Sequence, residues 1–479
     1  MNMLSAIRAG TSGFRGVTNT EITPLHAFAI GALYVDWLWR NKGIYPPRLV
    51  VGYDNRFGAE MLADAVTAGI RAAGGNVLAL GRVSTGVFSV VLACSDPPFD
   101  GGIQITGSHM PPERIGIIPM NGDATYCTDE VTDFITAGLA GFPGEDAYVP
   151  PQEIGDIRSL PTEAANLLYL ATVKPKLGAL ETVGARQFRV LIDPGNGTVG
   201  EIARRLYGDV LDCEVGVMNL EPKPVPDRPS ECRAASCAEA MSRTREGGYD
   251  LGLCFDGDGD RVLFIDADGH ALSEDLVGAI FARATLESGD VCVTPINSSG
   301  LIEVVCAGVG ARVEYCRIGQ PDTGRAIKEH RAASAYEAAA KYAFPKGGFI
   351  WYDGVFAGAR MLELMVKTGQ SLRDLAMEFP PFFRVDRNIA LPPHCRVAVV
   401  AGATRLAEHS FKSGAVRVDT LDGVRYTYPD RSWVLLRPSG TEPLARVYAD
   451  APNRSRAEAL ATAGEACFIS AIAAEAGAI

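Results

Sequence analysis

The amino-acid sequence predicts a multi-domain α/β protein: three related mixed α/β domains with wound sheets, then a C-terminal α+β domain. Three observations lead there. Short apolar runs alternate with helical stretches from residue 48 onward, the pattern of largely parallel sheets with helices on both faces. Strand–helix units of this kind recur in three successive segments, although no close repeat of residues accompanies them. From residue 381 the strands follow one another until a single long alanine-rich helix, as in an antiparallel sheet with one covering layer.

In the first domain, 1–149, Arg48–Asp54 reads as an apolar strand, Phe57–Ala73 as an alanine-rich helix, Asn76–Leu80 as a strand, and Thr85–Ala93 as a helix. The stretch Gly101–Pro112 opens as a strand, with Ile103 and Ile105 carrying the period of two, and Pro111-Pro112 block a following helix. Tyr126–Leu139 is expected to be helical, and the proline-rich Phe142–Pro151 marks the first boundary. In the second domain, 150–269, the strand Arg189–Asp193 leads into Pro-Gly-Asn-Gly-Thr and a helix. A strand at Cys213–Met218, a helix over Ala234–Glu246 and the strand Leu251–Phe255 follow. The third domain, 270–380, repeats the plan with helices Asp275–Thr285 and Leu301–Ala307 and strands Val291–Thr294 and Arg312–Cys316. In the fourth, 381–479, Val385–Leu391, Val416–Thr420, Gly423–Tyr428 and Trp433–Leu436 are strands and Arg456–Ala474 the helix.

A chain of 479 residues is too long for one ordinary core. A hydrophobic share of 47% with 21% charged residues belongs to a soluble globular protein. Apolar runs stop short of a membrane span and the first residues lack a signal-peptide plan, so a cytoplasmic protein with no membrane partner is expected. A net charge of −12 argues against a nucleic-acid partner, which needs clustered positive charge, but leaves room for a small anion held by local arginines. The 11 cysteines are scattered without CxxC spacing and are expected to be reduced and mostly buried.

The chemistry is concentrated in a few segments. Gly107-Ser108-His109 follows a strand on a tight loop, a placement that suits a nucleophile or phosphoryl carrier; the plainer alternative is a hydroxyl that caps a turn. Asp256, Asp258 and Asp260 alternate with glycines between two apolar strands. Three bare carboxylates there strain against one another without a cation, and oxygen-only ligands suit Mg²⁺ or Ca²⁺ over zinc. An EF-hand is excluded, because Arg261 stands where its sixth-position glycine belongs and Ala267 where its glutamate belongs. Arg437, Ser439, Gly440 and Thr441 form a hydroxyl-rich turn with a guanidinium at its mouth, suited to clamping phosphate; pairing of Arg437 with a carboxylate such as Glu442 is the alternative.

Together with Thr11-Ser-Gly-Phe-Arg-Gly16, these segments resemble the α-D-phosphohexomutase superfamily, to which phosphoglucomutase and phosphomannomutase belong, in order and spacing over nearly the whole chain. The resemblance implies four domains around a central active-site cleft, each contributing one loop. It implies a phosphosugar mutase in which phosphoserine 108 gives its group to an aldose phosphate and recovers the other from a bisphosphosugar. Mg²⁺ would be held by Ser108, Asp256, Asp258 and Asp260, with Arg15, Arg261 and His109 assisting catalysis. A bisphosphorylated sugar such as glucose 1,6-bisphosphate would serve as activator and intermediate, the partner being a small sugar phosphate and the state a monomer or homodimer. The sugar-reading loop aligns with Tyr336–Lys341, so Glu337, Ala339 and Lys341, with Arg317, are expected to face substrate.

Several positions depart from the family pattern. Met110 replaces an asparagine after the serine-histidine pair, and Ile118 stands where a proton-handling lysine is usual. Ala339 and Lys341 replace a serine and a histidine of the sugar loop, and Arg317-Ile318-Gly319-Gln320 replaces Lys-Thr-Gly-His. Phosphate and metal residues are kept while hydroxyl-reading ones change. Altered sugar specificity is the expectation, and a phosphosugar-binding protein with little turnover is the alternative.

Overall fold

The computed structural model describes residues 4, 7, 9–10, 12–143, 148–178, 180, 188–439 and 443–476. Two compact units divide the chain: Met1–Glu274 with Ala339–Leu375, and Asp275–Ala338 with Ala376–Ile479.

The first unit holds two sheets. Strands β1 (Ala9–Gly10), β2 (Gly13–Val17), β3 (Arg48–Tyr53), β4 (Asn76–Arg82), β5 (Gly101–Ile105), β6 (Arg114–Asn121) and β7 (Ile157–Ser159) lie in the order β1-β2-β6-β5-β3-β4-β7. The four strands β3, β4, β5 and β7 run parallel, whereas β6 is antiparallel to both β5 and β2. All five residues of β5 are buried, so the strand is sealed on both faces and its Ile103 and Ile105 face a common core with Leu49, Val51, Ile115 and Ile117. Helices Pro24–Lys42 and Ala59–Ala72 cover that core with Ile30, Tyr34, Leu62, Val66 and Ile70. Because β5 is flanked by β3 and β6, the carboxyl ends of β5 and β3 open side by side, which is where ligands collect on wound sheets.

The second sheet comprises β8 (Arg189–Asp193), β9 (Glu214–Val217), β10 (Leu251–Phe255) and β11 (Val262–Ile265), in the order β11-β10-β8-β9. Strands β8, β9 and β10 are parallel, and β10–β11 is a hairpin whose connection is Asp256–Arg261. The acidic segment is therefore the tip of a hairpin between two wholly buried strands. The helix Thr85–Cys94 begins against this tip, with the Thr85 N–H donating to the Asp258 backbone oxygen at 2.9 Å. Its N-cap is Ser84, whose hydroxyl oxygen accepts from the Val87 N–H.

In the second unit β12 (Val291–Pro295), β13 (Arg312–Cys316) and β14 (Ser334–Glu337) are parallel neighbours in the order β13-β12-β14. The C-terminal sheet is antiparallel, β16 (Phe383–Ala390), β17 (Arg417–Asp419), β18 (Val424–Thr427), β19 (Trp433–Pro438) and β20 (Leu444–Ala451), in the order β16-β20-β19-β18-β17. Helices Arg396–Phe411 and Arg454–Ala476 pack on it through Val399, Ala403, Leu460 and Phe468. The architecture is thus three mixed α/β sheets followed by an α+β layer.

Local chemistry moves two expected boundaries. The helix expected from Tyr126 starts at Asp129, because Tyr126 is buried in a bridge to Met120 and Thr128-Asp129-Glu130 supply the N-terminal turn. The helix expected from Ala234 starts at Ala238. All 11 cysteines are free thiols, and Cys254 and Cys292 lie buried in strands.

Candidate active site

Ser108 sits one turn beyond β5, buried, in a left-handed conformation with φ of 48°. A non-glycine residue held there costs free energy, so the loop must be over-determined by its partners. It is. Arg56, from the turn after β3, donates from Nη2 to the backbone oxygens of Ser108 (2.7 Å) and Met110 (2.6 Å) and from Nη1 to those of Pro111 (2.5 Å) and Arg114 (3.0 Å). Asp54 accepts the N–H groups of Arg56 (2.9 Å) and Gly107 (2.8 Å). Thr106 Oγ1 accepts the Ser108 N–H at 2.9 Å and lies 2.9 Å from both Asp54 Oδ2 and Asp258 Oδ2, donating its one proton to either. Gly107 is required, because a Cβ there would lie 2.1 Å from Arg56 Nε. Gly257 is required on the facing loop, where a Cβ would lie 2.7 Å from the Ser108 backbone oxygen.

The hairpin tip closes over this serine. Ser108 Oγ donates to Asp256 Oδ2 at 2.8 Å, and His109 Nδ1 lies 3.4 Å from the same hydroxyl. Asp256, Asp258 and Asp260 are all buried, each with a carboxylate oxygen within 4.8 Å of the others. Burial, then the repulsion of Asp260 and Asp258, pushes the Asp256 carboxyl well above the usual carboxylate range. Burial and Asp260 push Asp258 up to about 6. Asp258 Oδ1 is buried without a hydrogen-bond partner. Three clustered carboxylates with an orphaned inward oxygen fit a hard divalent cation of the Mg²⁺ type.

Cations ring the serine. Arg261 Nε lies 3.6 Å from Asp256 Oδ2 and 3.9 Å from Asp260 Oδ1, and Lys341 Nζ lies 2.7 Å from Asp260 Oδ2. Burial disfavours the Arg261 charge, but Asp256 and Asp260 overcome it and raise its pKa. Arg15 donates from Nε to the Ser12 backbone oxygen; burial lowers its pKa, Tyr126 opposes this, and the nearby Arg261 lowers it further. Burial, then Arg261, Arg15, Lys341 and Arg56, hold His109 neutral.

The structure therefore brings Ser108, His109, Arg15, Arg261, Asp256, Asp258 and Asp260 into one site, and places Lys341, expected on the sugar side, against Asp260. Ala339, also in the first unit, is half-buried. In the second unit Glu337 is buried in β14 and accepts from Thr323 Oγ1 at 3.0 Å, and the half-exposed Arg317 lies 3.9 Å from Asp322. Arg437 pairs with Asp422 at 2.9 Å, a carboxylate from the β17–β18 turn that also accepts the Ile318 N–H. The Ser439 backbone oxygen accepts from Arg396. The expected contributions of Gly440 and Thr441, and the Glu442 alternative, lie outside the described residues. Asp54, Arg56 and Thr106 escape the sequence reading as site residues, although Asp54 ends and Asn55-Arg56 directly follow a predicted strand of a wound sheet, the place where such loops matter.

Four family models match in chain order: phosphoglucomutase/phosphomannomutase α/β/α domain I over 6–141, domain II over 168–269, domain III over 273–383 and the C-terminal domain over 390–464. A phosphoglucomutase/phosphomannomutase of Thermococcus kodakarensis is 32% identical over 454 residues, covering 94% of this chain and 95% of the relative. A probable phosphoglucosamine mutase of Methanocella arvoryzae is 29% identical over 463 residues, covering 95% and 96%. Among solved structures, a phosphoglucomutase/phosphomannomutase family protein of Burkholderia thailandensis superposes with a TM-score of 0.83 at 21% identity, covering 98% of each chain. An Aspergillus fumigatus N-acetylphosphoglucosamine mutase in complex with GlcNAc-6P and magnesium gives 0.61 at 14% identity, covering 97% of this chain and 96% of that one.

Proposed function

Because this chain belongs to the phosphoglucomutase/phosphomannomutase family, and is accordingly a phosphosugar mutase, we propose that Ser108 is its phosphoryl carrier and that the Asp256–Asp258–Asp260 tip holds its Mg²⁺. One observation carries the proposal: the Ser108 hydroxyl is buried 2.8 Å from Asp256, inside a three-carboxylate cluster and beside two guanidinium groups.

In the forward half-reaction a sugar hydroxyl attacks phosphorus, the P–Oγ bond breaks, and the Ser108 oxygen keeps the bond's electron pair. The attacking hydroxyl's proton ends on that oxygen, leaving a sugar bisphosphate and a serine hydroxyl, and the reverse sequence at the other phosphate restores phosphoserine 108. Bound Mg²⁺ supplies Lewis-acid neutralisation of the transferring oxygens. Arg15 and Arg261 serve the same end, stabilising charge spread over the equatorial oxygens, where most catalysis of phosphoryl transfer arises. Asp54 and Arg56 hold the serine loop in its left-handed turn, so the hydroxyl needs no reorganisation. Neutral His109 adds no charge and orients the hydroxyl.

The sugar-side assignment rests on the family pattern: Glu337, Ala339 and Arg317 meet the sugar, and Arg437 with Ser439, Gly440 and Thr441 meets the non-transferring phosphate. Arg437 is held 2.9 Å from Asp422, a carboxylate pairing of the kind that is the alternative to the clamp, so a bound phosphate would have to share this guanidinium with Asp422. A 1-phosphate to 6-phosphate exchange on an aldose, with glucose 1,6-bisphosphate as activator, is the reaction these groups suit.

The test is a coupled assay of glucose, mannose, glucosamine and ribose 1-phosphates with Mg²⁺ and activator. Isomerisation of at least one, lost in Ser108→Ala by three or more orders of magnitude, is expected. Intact-mass measurement should show a fraction of chains heavier by one phosphoryl group, absent from Ser108→Ala. Binding of sugar phosphates with no turnover would make the protein a binder, and release of free phosphate would make it a phosphatase.

A further inference from the structure

The family pattern has a histidine where this chain has Lys341, and the structure puts that lysine on the metal-binding tip. Its ammonium is buried 2.7 Å from Asp260 Oδ2 and 5.7 Å from the centre of the Tyr352 ring. The backbone on either side is fixed: Ala340, held at φ of 60°, accepts the Val262 N–H from the base of the hairpin at 3.0 Å, and Lys341 opens the strand Lys341–Ala343, β15. Each carboxylate already has a partner: Asp256 accepts from the Ser108 hydroxyl and the Arg261 N–H, Asp258 Oδ2 lies 2.9 Å from Thr106 Oγ1, and Asp260 accepts from Lys341. Among the described residues, a neutral imidazole would leave Arg261 as the cation ion-paired with the tip, with Arg15 acting on it from further off. Lys341 adds a second, permanently attached.

We propose that Lys341 is a built-in counter-cation of the metal tip, a positioning residue that weakens divalent-cation affinity while keeping the three aspartates folded together when no cation is bound. The proposal rests on the metal reading given above. Its physics is charge counting. With Lys341 and Arg261 both against the three aspartates the tip is one unit less negative than with Arg261 alone, at distances where buried charges are weakly screened. A divalent cation gains more from the second arrangement. The metal-free protein loses by it, because Asp260 would then keep a buried carboxylate without its ammonium partner.

Lys341→Met and Lys341→Gln remove the charge, and Lys341→Arg keeps it. The probes are Mg²⁺ titrated calorimetrically and Mn²⁺ followed by electron paramagnetic resonance, with thermal unfolding measured in chelator and in excess Mg²⁺. Expected are a tenfold or greater tightening of both cations in the Met and Gln variants, affinity within about threefold of wild type in the Arg variant, and a lower Tm of the neutral variants in chelator that Mg²⁺ restores. Merely structural damage would weaken cation binding, so tightening separates the two roles. Equal affinity in wild type and the neutral variants overturns the proposal, as does a neutral variant that stays unfolded even in excess Mg²⁺. At saturating Mg²⁺ a rise of tenfold or more in the KM for sugar phosphate would assign Lys341 to substrate and overturn the counter-cation role. Wild-type protein that binds neither cation would overturn the metal reading itself, a result distinct from all of these.

Discussion

Arg56 and Asp54 illustrate how much of the site depends on side chains that touch no reacting atom. The guanidinium satisfies four backbone oxygens of the serine loop, and its Nε lies 3.4 Å from the buried Asp54 carboxylate. Burial raises the Asp54 pKa, and Arg56 is its first counterweight. Arg56→Met would take a donor from four carbonyls and the counter-charge from Asp54, which keeps the N–H groups of residues 56 and 107, so a loss of roughly 3–5 kcal/mol is expected, as for one partner removed from a buried pair. Denaturant unfolding checks the magnitude. If stability fell by less than about 1 kcal/mol, the loop would be held by other means. Gly107→Ala, driving a Cβ into Arg56, should misplace Ser108 and cost activity more than stability. The readout is kcat against Tm for the same preparation.

Among elements, β20 is instructive because a central strand carries a buried carboxylate. Asp450 lies on β20 and accepts the Ser299 hydroxyl at 2.8 Å and the Gly300 N–H at 2.9 Å, at the start of the helix Leu301–Val309. Burial, then repulsion from Asp275, raises its pKa to about 7, with Gly300, Ser299 and Arg384 pulling the other way. The folded-state value exceeds the ordinary 3.8, so the folded chain binds this proton more tightly than the unfolded chain does. The group therefore favours folding at low pH, and its contribution is lost as pH rises through about 7. Asp450→Asn removes the titration and keeps a carbonyl acceptor. Relative to wild type, the variant should gain roughly 2–3 kcal/mol between about pH 5 and about pH 8. Unfolding curves at the two pH values test this, and parallel behaviour of both proteins would show that Asp450 does not titrate in this window.

For the molecule as a whole, the aspartates and the serine occupy the first unit while Arg437 and Glu337 occupy the second. A cation that binds the folded hairpin tip stabilises by mass action, about 2.7 kcal/mol at a hundredfold excess over Kd. Mg²⁺ should therefore raise the unfolding temperature and slow hydrogen exchange at the hairpin tip and its flanking strands β10 and β11, as exchange resolved along the chain would show. Asp258→Asn should abolish most of that protection while scarcely altering the metal-free fold, since its neighbours repel it as it stands. Phosphorylated Ser108 adds a dianion to the same site and should tighten Mg²⁺ over the unmodified protein. Identical titrations of the two forms and of Asp258→Asn would remove the metal from the hairpin tip.

What could be read from the chain alone was whatever is local. The strands Arg48–Tyr53, Leu251–Phe255 and Val291–Pro295 are short apolar runs between turn residues, and local composition is sufficient for them. The Ser108 loop and the aspartate tip could be located for a related reason: each is one contiguous segment whose residues lie close together in sequence. The helix Pro24–Lys42 drew no expectation, because ten of its 19 residues are buried and no clean polar face advertises it. The strand Leu444–Ala451 was hidden by Arg446 and Asp450, the latter tolerated in a buried strand only because Ser299 and Gly300 arrive from another domain to satisfy it. The same holds within the site. Arg56 and Ser108 are 52 positions apart, Lys341 and Asp260 81 apart, and Arg437 pairs with Asp422 from the preceding turn. Sequence spacing reports which groups a short loop can present. Which distant charge is driven out of water onto them is settled by packing, because the cost of burying an ion selects its partner only once the chain has closed.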